Sequence, residues 1–149
     1  MILPVAINQV DPQRIHDIYP FLLRGMLAIK KRVPSDFQPE DVYTAIRSGG
    51  AVAYIVARGE RNLGYFITYV QTRPFSGRKE YFIWLSWSIP LRDRSEGDNV
   101  PDAVEHSMEF MRQQARALGC DSIVHMSSRR GFEKFGFHVE TMTYRQWLG

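Results

Sequence analysis

The chain of 149 residues is long enough to bury the core of one domain, and we expect a single domain over residues 1–149. Hydrophobic residues make up 44% of it and charged residues 23%, as in ordinary globular proteins. No apolar run approaches the roughly 20 residues of a membrane-spanning helix, which excludes membrane insertion by that route. The net charge of +3 comes without a dense Lys/Arg block, which argues against nucleic acid as a partner.

Cysteine and histidine usage limits the remaining chemistry. Cys120 is the only cysteine, so an intrachain disulfide is excluded and we expect a reducing, cytoplasmic setting. The four histidines show no metal-ligand spacing, and we predict no metal site. His125 lies near the end of a predicted strand, and we interpret it as a packed, hydrogen-bonded core residue.

The first fifty residues predict a short strand and two helices. Residues 5–7 are typical of a strand. Asp11 and Pro12 suit the start of a helix, whose apolar positions recur at helical spacing, and we expect Pro20 to kink or divide it. Gln38 and the following proline open a second helix. The apolar positions of the first helix are Ile15, Ile18, Leu22, Met26 and Ile29.

Three strands in series come next, at residues 51–57, 63–72 and 80–89, and we expect them to form an antiparallel meander. Strict alternation along the last of these strands predicts that Trp84 and Trp87 point to opposite faces. The same alternation places five residues on one face, namely Glu80, Phe82, Trp84, Ser86 and Ser88.

A long helix over residues 101–118 separates this meander from a fifth strand at 121–126, an order that implies a right-handed crossover and a parallel pair. A short helix at 128–135 and closing strands at 137–139 and 141–147 are predicted to follow. The buried stripe of the long helix is predicted to contain Val104, Met108, Met111, Ala115 and Leu118.

The order of these elements resembles the GCN5-related N-acetyltransferase (GNAT) superfamily. Gly-Phe-Glu-Lys-Phe-Gly-Phe at residues 131–137 is similar to that family's short helix ending in Gly-Phe. Ala-Arg-Ala-Leu-Gly-Cys at residues 115–120 is similar to the usual end of its central helix. The resemblance implies an α/β (α+β) fold with a mixed central sheet flanked by helices. In that fold an antiparallel meander adjoins a splayed parallel pair made by the fourth and fifth strands.

The resemblance also implies an acetyl-CoA-dependent N-acyltransferase, with acetyl-CoA held between the splayed strands. Its pyrophosphate would lie on a loop of the pattern Gln/Arg-x-x-Gly-x-Gly/Ala before the central helix. Residues 94–97, Arg-Ser-Glu-Gly, fit the first half of that pattern, whereas Glu96 and Asp98 add negative charge there. A solvated loop of acidic and basic residues is the alternative interpretation. The candidate cofactor-binding residues are Trp87, Ser88, Ile89, Arg92, Arg94, Gly97 and Asn99.

Catalytic residues are harder to assign from the resemblance. The family's thiolate-protonating tyrosine falls at Phe132, which has no proton to give. Ser128 is a candidate substitute that would act through a water molecule, although it also suits the N-cap of the short helix. Glu80 is the candidate general base, and its alternative is a solvent-exposed residue at the start of a strand.

Two classes of function therefore stay open. In the first, the chain acylates a small-molecule amine or a protein amino group. In the second, it is a catalytically degenerate protein of the same fold with a structural or assembly role, for instance in a phage. A homodimer and an assembly with other proteins are both compatible with the sequence.

Overall fold

The structure is a computed structural model that describes residues 3–32, 37–95, 97–126, 132–140 and 145–148. Within these residues, short 3₁₀ helices at Pro12–Arg14, Leu91–Asp93 and Phe132–Phe135 accompany three longer helices and five strands. In chain order the longer elements are β1 (Val5–Gln9), α1 (Ile15–Arg32), α2 (Pro39–Ser48), β2 (Val52–Arg58), β3 (Arg61–Thr72), β4 (Lys79–Ser88), α3 (Val100–Ala117) and β5 (Ser122–His125).

The five strands form one sheet in the order β1-β2-β3-β4-β5. The first four pair antiparallel, whereas β5 pairs parallel with β4 from Ser122 opposite Glu80 to His125 opposite Ile83. The crossover between these two strands contains α3. The predicted mixed sheet, with an antiparallel meander and a parallel β4/β5 pair, is therefore confirmed.

Helices cover both faces of the sheet. On one face, the Tyr65 hydroxyl of β3 donates a hydrogen bond of 2.8 Å to the Leu22 carbonyl of α1. A Cβ atom on Gly25 would lie 2.4 Å from that hydroxyl, so glycine permits this close approach. On the other face, Phe66 of β3 meets Phe110 of α3 with ring centroids 6.1 Å apart. The core thus lies between the sheet and these two helices.

Helix α1 differs from its prediction at Pro20. The proline lies inside a helix that continues unbroken to Arg32, so the expected division does not occur. Proline removes only the N–H that would bond to the His16 carbonyl. His16 is exposed, and water can satisfy that carbonyl.

A β-bulge in β4 changes which side chains share a face. Thr68 of β3 pairs with Ile83 and its neighbour Ile67 pairs with Leu85, so Trp84 is the extra residue. The Trp84 ring contacts Tyr69, and the Trp87 ring contacts Tyr65. Because Tyr65 and Tyr69 share a face of β3, the prediction of opposite faces for the two tryptophans is wrong. The predicted common face from Glu80 to Ser88 fails beyond the bulge for the same reason.

The buried stripe of α3 is shifted from its predicted position. Met108, Met111 and Ala115 are buried as expected, but Leu118 is 44% exposed and Val104 is half-buried. Leu118 lies beyond the end of the helix at Ala117, in the turn that leads to β5. Ala103 and Ser107 occupy the buried face instead.

The C-terminal predictions are met only in part. The short 3₁₀ helix Phe132–Phe135 lies within the predicted short helix, whose first four residues fall outside the described part of the chain. The predicted strand at 137–139 is wrong, since residues 137–140 have no regular structure. Of the predicted strand 141–147, residues 141–144 lie outside the described residues and 145–147 form no strand.

Candidate functional site

A cavity of about 520 Å³ opens beside the C-terminal end of β4. Pairing between β4 and β5 stops at Ile83 and His125, although β4 continues to Ser88. Residues 84–88 therefore have no β5 partner among the described residues. The cavity is lined by this end of β4, by α3 and by the 3₁₀ helix Phe132–Phe135, with walls that include Ser86, Ser88, Val104, Met108, Phe132 and Phe135.

The unpaired stretch exposes backbone as well as side chains to the cavity. In a sheet interior, both edges of a strand are used by neighbours. Among the described residues, only the β3-facing edge of residues 84–88 is paired, and the bulge at Trp84 interrupts the ladder at the point where β5 departs. The backbone at this edge can donate hydrogen bonds to an extended ligand and accept them from it, as it would with a neighbouring strand.

The segment between β4 and α3 is anchored by arginines. Arg94 lines the cavity and its Nε donates to the Ile89 carbonyl at 3.1 Å. Arg24 of α1 makes an ion pair with Asp93. Arg61 of β3 donates to the Asp93 carbonyl at 3.2 Å. The contacts of Arg24 and Arg61 tie the segment to α1 and β3.

The Asp98 carboxylate, predicted to oppose an anion in this segment, is paired with an arginine. Arg61 contacts both of its carboxylate oxygens, at 3.1 Å from Nε and 2.5 Å from Nη2. The Ser95 N–H donates to the same carboxylate at 2.8 Å, and the side chain is 2% exposed. The Arg61 guanidinium and this N–H hold the pKa of Asp98 below its usual value. Its charge is therefore balanced within the protein, whereas Glu96 lies outside the described residues.

The backbone N–H groups at the start of α3 are largely hydrogen-bonded by residues of the same segment. Asn99 caps the helix, since its Oδ1 accepts from the Asp102 N–H at 3.1 Å and its carbonyl accepts from the Ala103 N–H at 3.1 Å. Pro101 has no N–H. The Arg58 guanidinium contacts the Asp102 carboxylate at 3.2 Å and the Asn99 carbonyl at 3.4 Å. A phosphate here would depend on side chains more than on the helix N–H groups.

The predicted cofactor-binding residues are distributed unevenly around the cavity. Trp87, Ser88 and Arg94 line it. Ile89 is buried, and its carbonyl accepts from Arg94. Arg92 is 84% exposed on the loop, and Gly97 is exposed. Four of the predicted residues are therefore not among the cavity walls, namely Ile89, Arg92, Gly97 and Asn99.

Glu80 is buried, in contrast to the solvent-exposed alternative. Arg73 approaches one carboxylate oxygen at 3.0 Å, and the Gln71 amide donates to the other at 3.1 Å. Arg73 also contacts Glu140 at 3.2 Å. Both oxygens of Glu80 are thus engaged, about 13 Å along the strand from the bulge. Ser128, the other candidate catalytic residue, lies outside the described part of the chain.

His125 has a different environment from the one predicted. Its Nδ1 is buried and has no hydrogen-bond partner among the described residues. Its ring meets Phe132, a cavity wall, edge-on with centroids 4.7 Å apart. Burial lowers the pKa of the imidazole below its usual value. The sequence signal that could have found this residue is its position at the predicted end of β5.

Arg58 and Arg61 are the residues that sequence reasoning missed. They flank the β2–β3 hairpin turn at Gly59, and their partners are some forty residues later in the chain. No spacing rule links positions so far apart. Their role follows only once the sheet order places the hairpin beside the start of α3.

Within the described residues, no helix is long and apolar enough to cross a membrane. A search of the same residues for three or more His, Cys, Asp or Glu side chains placed to hold a metal ion finds none. The candidate site is therefore the cavity beside β4, with its arginine-anchored loop.

Comparison with known proteins bears on the fold. No family model and no curated protein sequence matches the chain. Solved structures do match over nearly its full length. A predicted acetyltransferase from Clostridium acetobutylicum, solved with acetyl-CoA, is 12% identical, with a TM-score of 0.67 and 97% of each chain covered.

Two further matches are acetyltransferases whose names state an acceptor. A ribosomal-protein-alanine N-acetyltransferase from Brucella melitensis is 14% identical, with a TM-score of 0.64, covering 98% of this chain and 100% of its own. An aminoglycoside acetyltransferase from an uncultured soil metagenomic sample is 13% identical, with a TM-score of 0.67, covering 99% and 100%. Together with the mixed sheet and its parallel β4/β5 pair, these likenesses show that the chain has the fold of the GCN5-related N-acetyltransferases.

Proposed function

We propose that the chain binds acetyl-CoA in the cavity beside β4 and transfers the acetyl group to an amine. The observation that carries this proposal is the end of β4/β5 pairing at Ile83 and His125, next to a cavity of about 520 Å³. That volume lies in the range of small-molecule sites, about 300–1,000 Å³. Acetyl-CoA would supply an acetyl thioester, which an uncharged amine can attack.

The cavity walls fit the chemical parts of such a molecule. Met108, Phe132 and Phe135 provide an apolar surface that excludes water from an extended arm. The edge of residues 84–88, which pairs with no strand in the described part of the chain, offers backbone partners to amide groups along that arm.

Two cations are placed to attract the phosphates. Arg94 and Lys134 both line the cavity. Arg92 is exposed on the loop nearby and adds a third positive charge. Because Asp98 is already paired with Arg61, its carboxylate does not cancel these charges. Of the loop residues predicted to bind the cofactor, we propose that Arg94 and Ser88 contact it and that Arg92 attracts it.

The acceptor is an amine of a small molecule or of a protein. The matching structures include an aminoglycoside acetyltransferase and a ribosomal-protein-alanine N-acetyltransferase. These two acceptor classes are the natural first probes here. Within the described residues, no cavity wall other than Glu105 carries a carboxylate, so recognition of a strongly cationic acceptor would depend on other surfaces.

Calorimetric titration with acetyl-CoA tests this proposal, with Ser86→Trp as the blocked variant. Ser86 is exposed on the unpaired stretch and lines the cavity, so an indole there fills the site without disturbing the core. We expect binding to the wild-type protein and none to Ser86→Trp. Mass spectrometry then follows acetyl transfer to an aminoglycoside and to a peptide with an N-terminal alanine. Absence of acetyl-CoA binding to the wild-type protein would contradict the proposal.

One observation favours a second candidate, a binding protein without acetyl transfer. The first turn of α3 is closed by Asn99, Pro101 and the Arg58–Asp102 pair, which leaves few N–H groups for a diphosphate. This candidate predicts a stable complex with another protein and no acetyl-CoA binding. Any acetylated product that depends on the protein would exclude it.

A further inference from the structure

His125 is the titratable side chain at the point where β4 and β5 part. It is the last residue of β5 and pairs with Ile83, and the next residue of β4 is the bulged Trp84. In the parallel register, His125 lies on the same face as Tyr81 and Ile83, which is the face covered by α3. The cavity opens on that face, because its walls include several residues of α3.

The two ring nitrogens of His125 differ in their surroundings. Nδ1 is buried and makes no hydrogen bond to the described residues. Nε2 is not sealed in this way, and the residue as a whole keeps partial exposure. A buried nitrogen without a partner is costly, so such a group calls for an explanation. His125 is not itself among the cavity walls, but its ring meets one of them, Phe132, edge-on with centroids 4.7 Å apart.

The neighbours of His125 leave its ring neutral at physiological pH. Burial alone lowers its pKa, and no charged side chain of the described residues adds to that shift. From β4, Tyr81 shares its face, and burial raises the pKa of that phenol to about 12. From α3, Arg112 is held by its hydrogen bond of 3.0 Å to the Phe135 carbonyl. A neutral imidazole can accept a proton, whereas these neighbours cannot.

We propose that His125 carries the proton during acetyl transfer, an inference that rests on the proposed function. As the amine nitrogen forms its bond to the acetyl carbon, one amine proton passes through a water molecule to Nε2 of His125. As the bond between that carbon and the thioester sulfur breaks, the imidazolium returns the proton through water to the sulfur. One N–C bond forms and one C–S bond breaks. The products are an amide and a thiol, and no other reactant is needed.

Other described side chains are less suited to this role. Phe132 has no proton, and both oxygens of Glu80 are engaged by Arg73 and Gln71. Tyr65 donates its hydroxyl to the Leu22 carbonyl on the opposite face of the sheet. His125 alone among these residues combines an open nitrogen with a place beside the cavity.

The substitution His125→Gln tests the assignment, with His106→Gln on the exposed side of α3 as the matched control. General acid–base residues contribute about 10²–10⁴-fold. We therefore expect His125→Gln to lower kcat by at least about 100-fold while the dissociation constant of acetyl-CoA stays within about twofold. The wild-type rate should fall on the acid side through a single ionisation. The rate of His125→Gln should not show this fall at acid pH, whereas the rate of His106→Gln should show it.

A second measurement does not depend on turnover or on the folding of a variant. The ring proton signals of His125 in the wild-type protein, followed by NMR, should move when CoA is added, whereas those of His106 should not. Unchanged His125 signals at saturating CoA would overturn the assignment, as would a His125→Gln variant with wild-type kcat. Both results leave acetyl-CoA binding intact. If the wild-type protein binds no acetyl-CoA, the proposed function fails first.

Discussion

The contact between Asp98 and Arg61 shows how single residues hold the segment between β4 and α3. The pair joins the β2–β3 hairpin to the loop, and the Asp98 side chain is 2% exposed. Asp98→Asn removes the charge that Arg61 and the Ser95 N–H recognise. Hydrogen bonds to charged groups contribute about 1.5–3 kcal/mol, and the half-exposed Arg61 favours the lower end. We expect a loss of about 1.5 kcal/mol in the free energy of unfolding near neutral pH, measured by urea denaturation.

The pH dependence of that loss identifies its cause. Since the folded state lowers the pKa of Asp98, the pair stabilises the protein above the ordinary Asp pKa of about 4. This contribution disappears as the pH falls through the lowered pKa, so the wild-type protein and Asp98→Asn should converge in acid. The control is Asp17→Asn, because Asp17 pairs with Arg14 at the surface and should contribute little. A difference that persists unchanged in acid would contradict the electrostatic explanation.

At the level of elements, the burial of α3 follows the helical periodicity of its apolar residues only in part. Met111 and Leu118 belong to one predicted stripe, yet Met111 is 1% exposed and Leu118 is 44% exposed. Met111→Ala should lower the free energy of unfolding by about 2–5 kcal/mol, as buried large-to-small substitutions do. Leu118→Ala should change it by less than about 1 kcal/mol. Equal losses would mean that the stripe continues past Ala117, contrary to the structure.

The elements whose cause is local were predictable from the sequence. Gln38 and Pro39 start α2 and Gly49, at φ 84°, ends it, as the cap signals indicate. Alternating and β-branched runs placed the three meander strands to within about two residues of their bounds. Such features depend on residues a few positions apart, which a single sequence displays directly.

Features decided by distant partners were not predictable. The bulge at Trp84 arises from how β4 pairs with β3, and it reverses the faces of the residues after it. Glu80 is buried because Arg73 and Gln71 reach it, although a carboxylate at a strand start usually faces water. The resemblance predicts a candidate site at the loop before α3, and that stays a prediction, while the contacts of Arg58 and Arg61 with this region needed the sheet order.

Across the whole molecule, the hydrophobic core and the candidate site adjoin each other on one sheet. The core lies along β2, β3 and the paired part of β4, where strands are bonded on both edges. The cavity begins where β5 leaves β4, and its walls include core residues such as Phe66, Met108 and Met111. A ligand bound there should stabilise the folded state without new packing elsewhere, because binding to the folded state alone shifts the unfolding equilibrium.

The rise in Tm on adding acetyl-CoA therefore measures ligand binding at the site through the stability of the whole molecule. At about 100 times its dissociation constant, the ligand adds about 2.7 kcal/mol, which corresponds to a rise of about 5–10 °C in Tm. Because the first turn of α3 is capped by Asn99, binding of the phosphates should depend on the Arg94 guanidinium. If Arg94→Gln weakens acetyl-CoA binding tenfold, that variant should show about half the rise in Tm at the same ligand concentration. Arg116→Gln, with the same charge change on the exposed last turn of α3, should keep the full rise. An Arg94→Gln variant with the full rise would instead place the phosphates on backbone N–H groups, and the helix start would then have to open when the ligand binds.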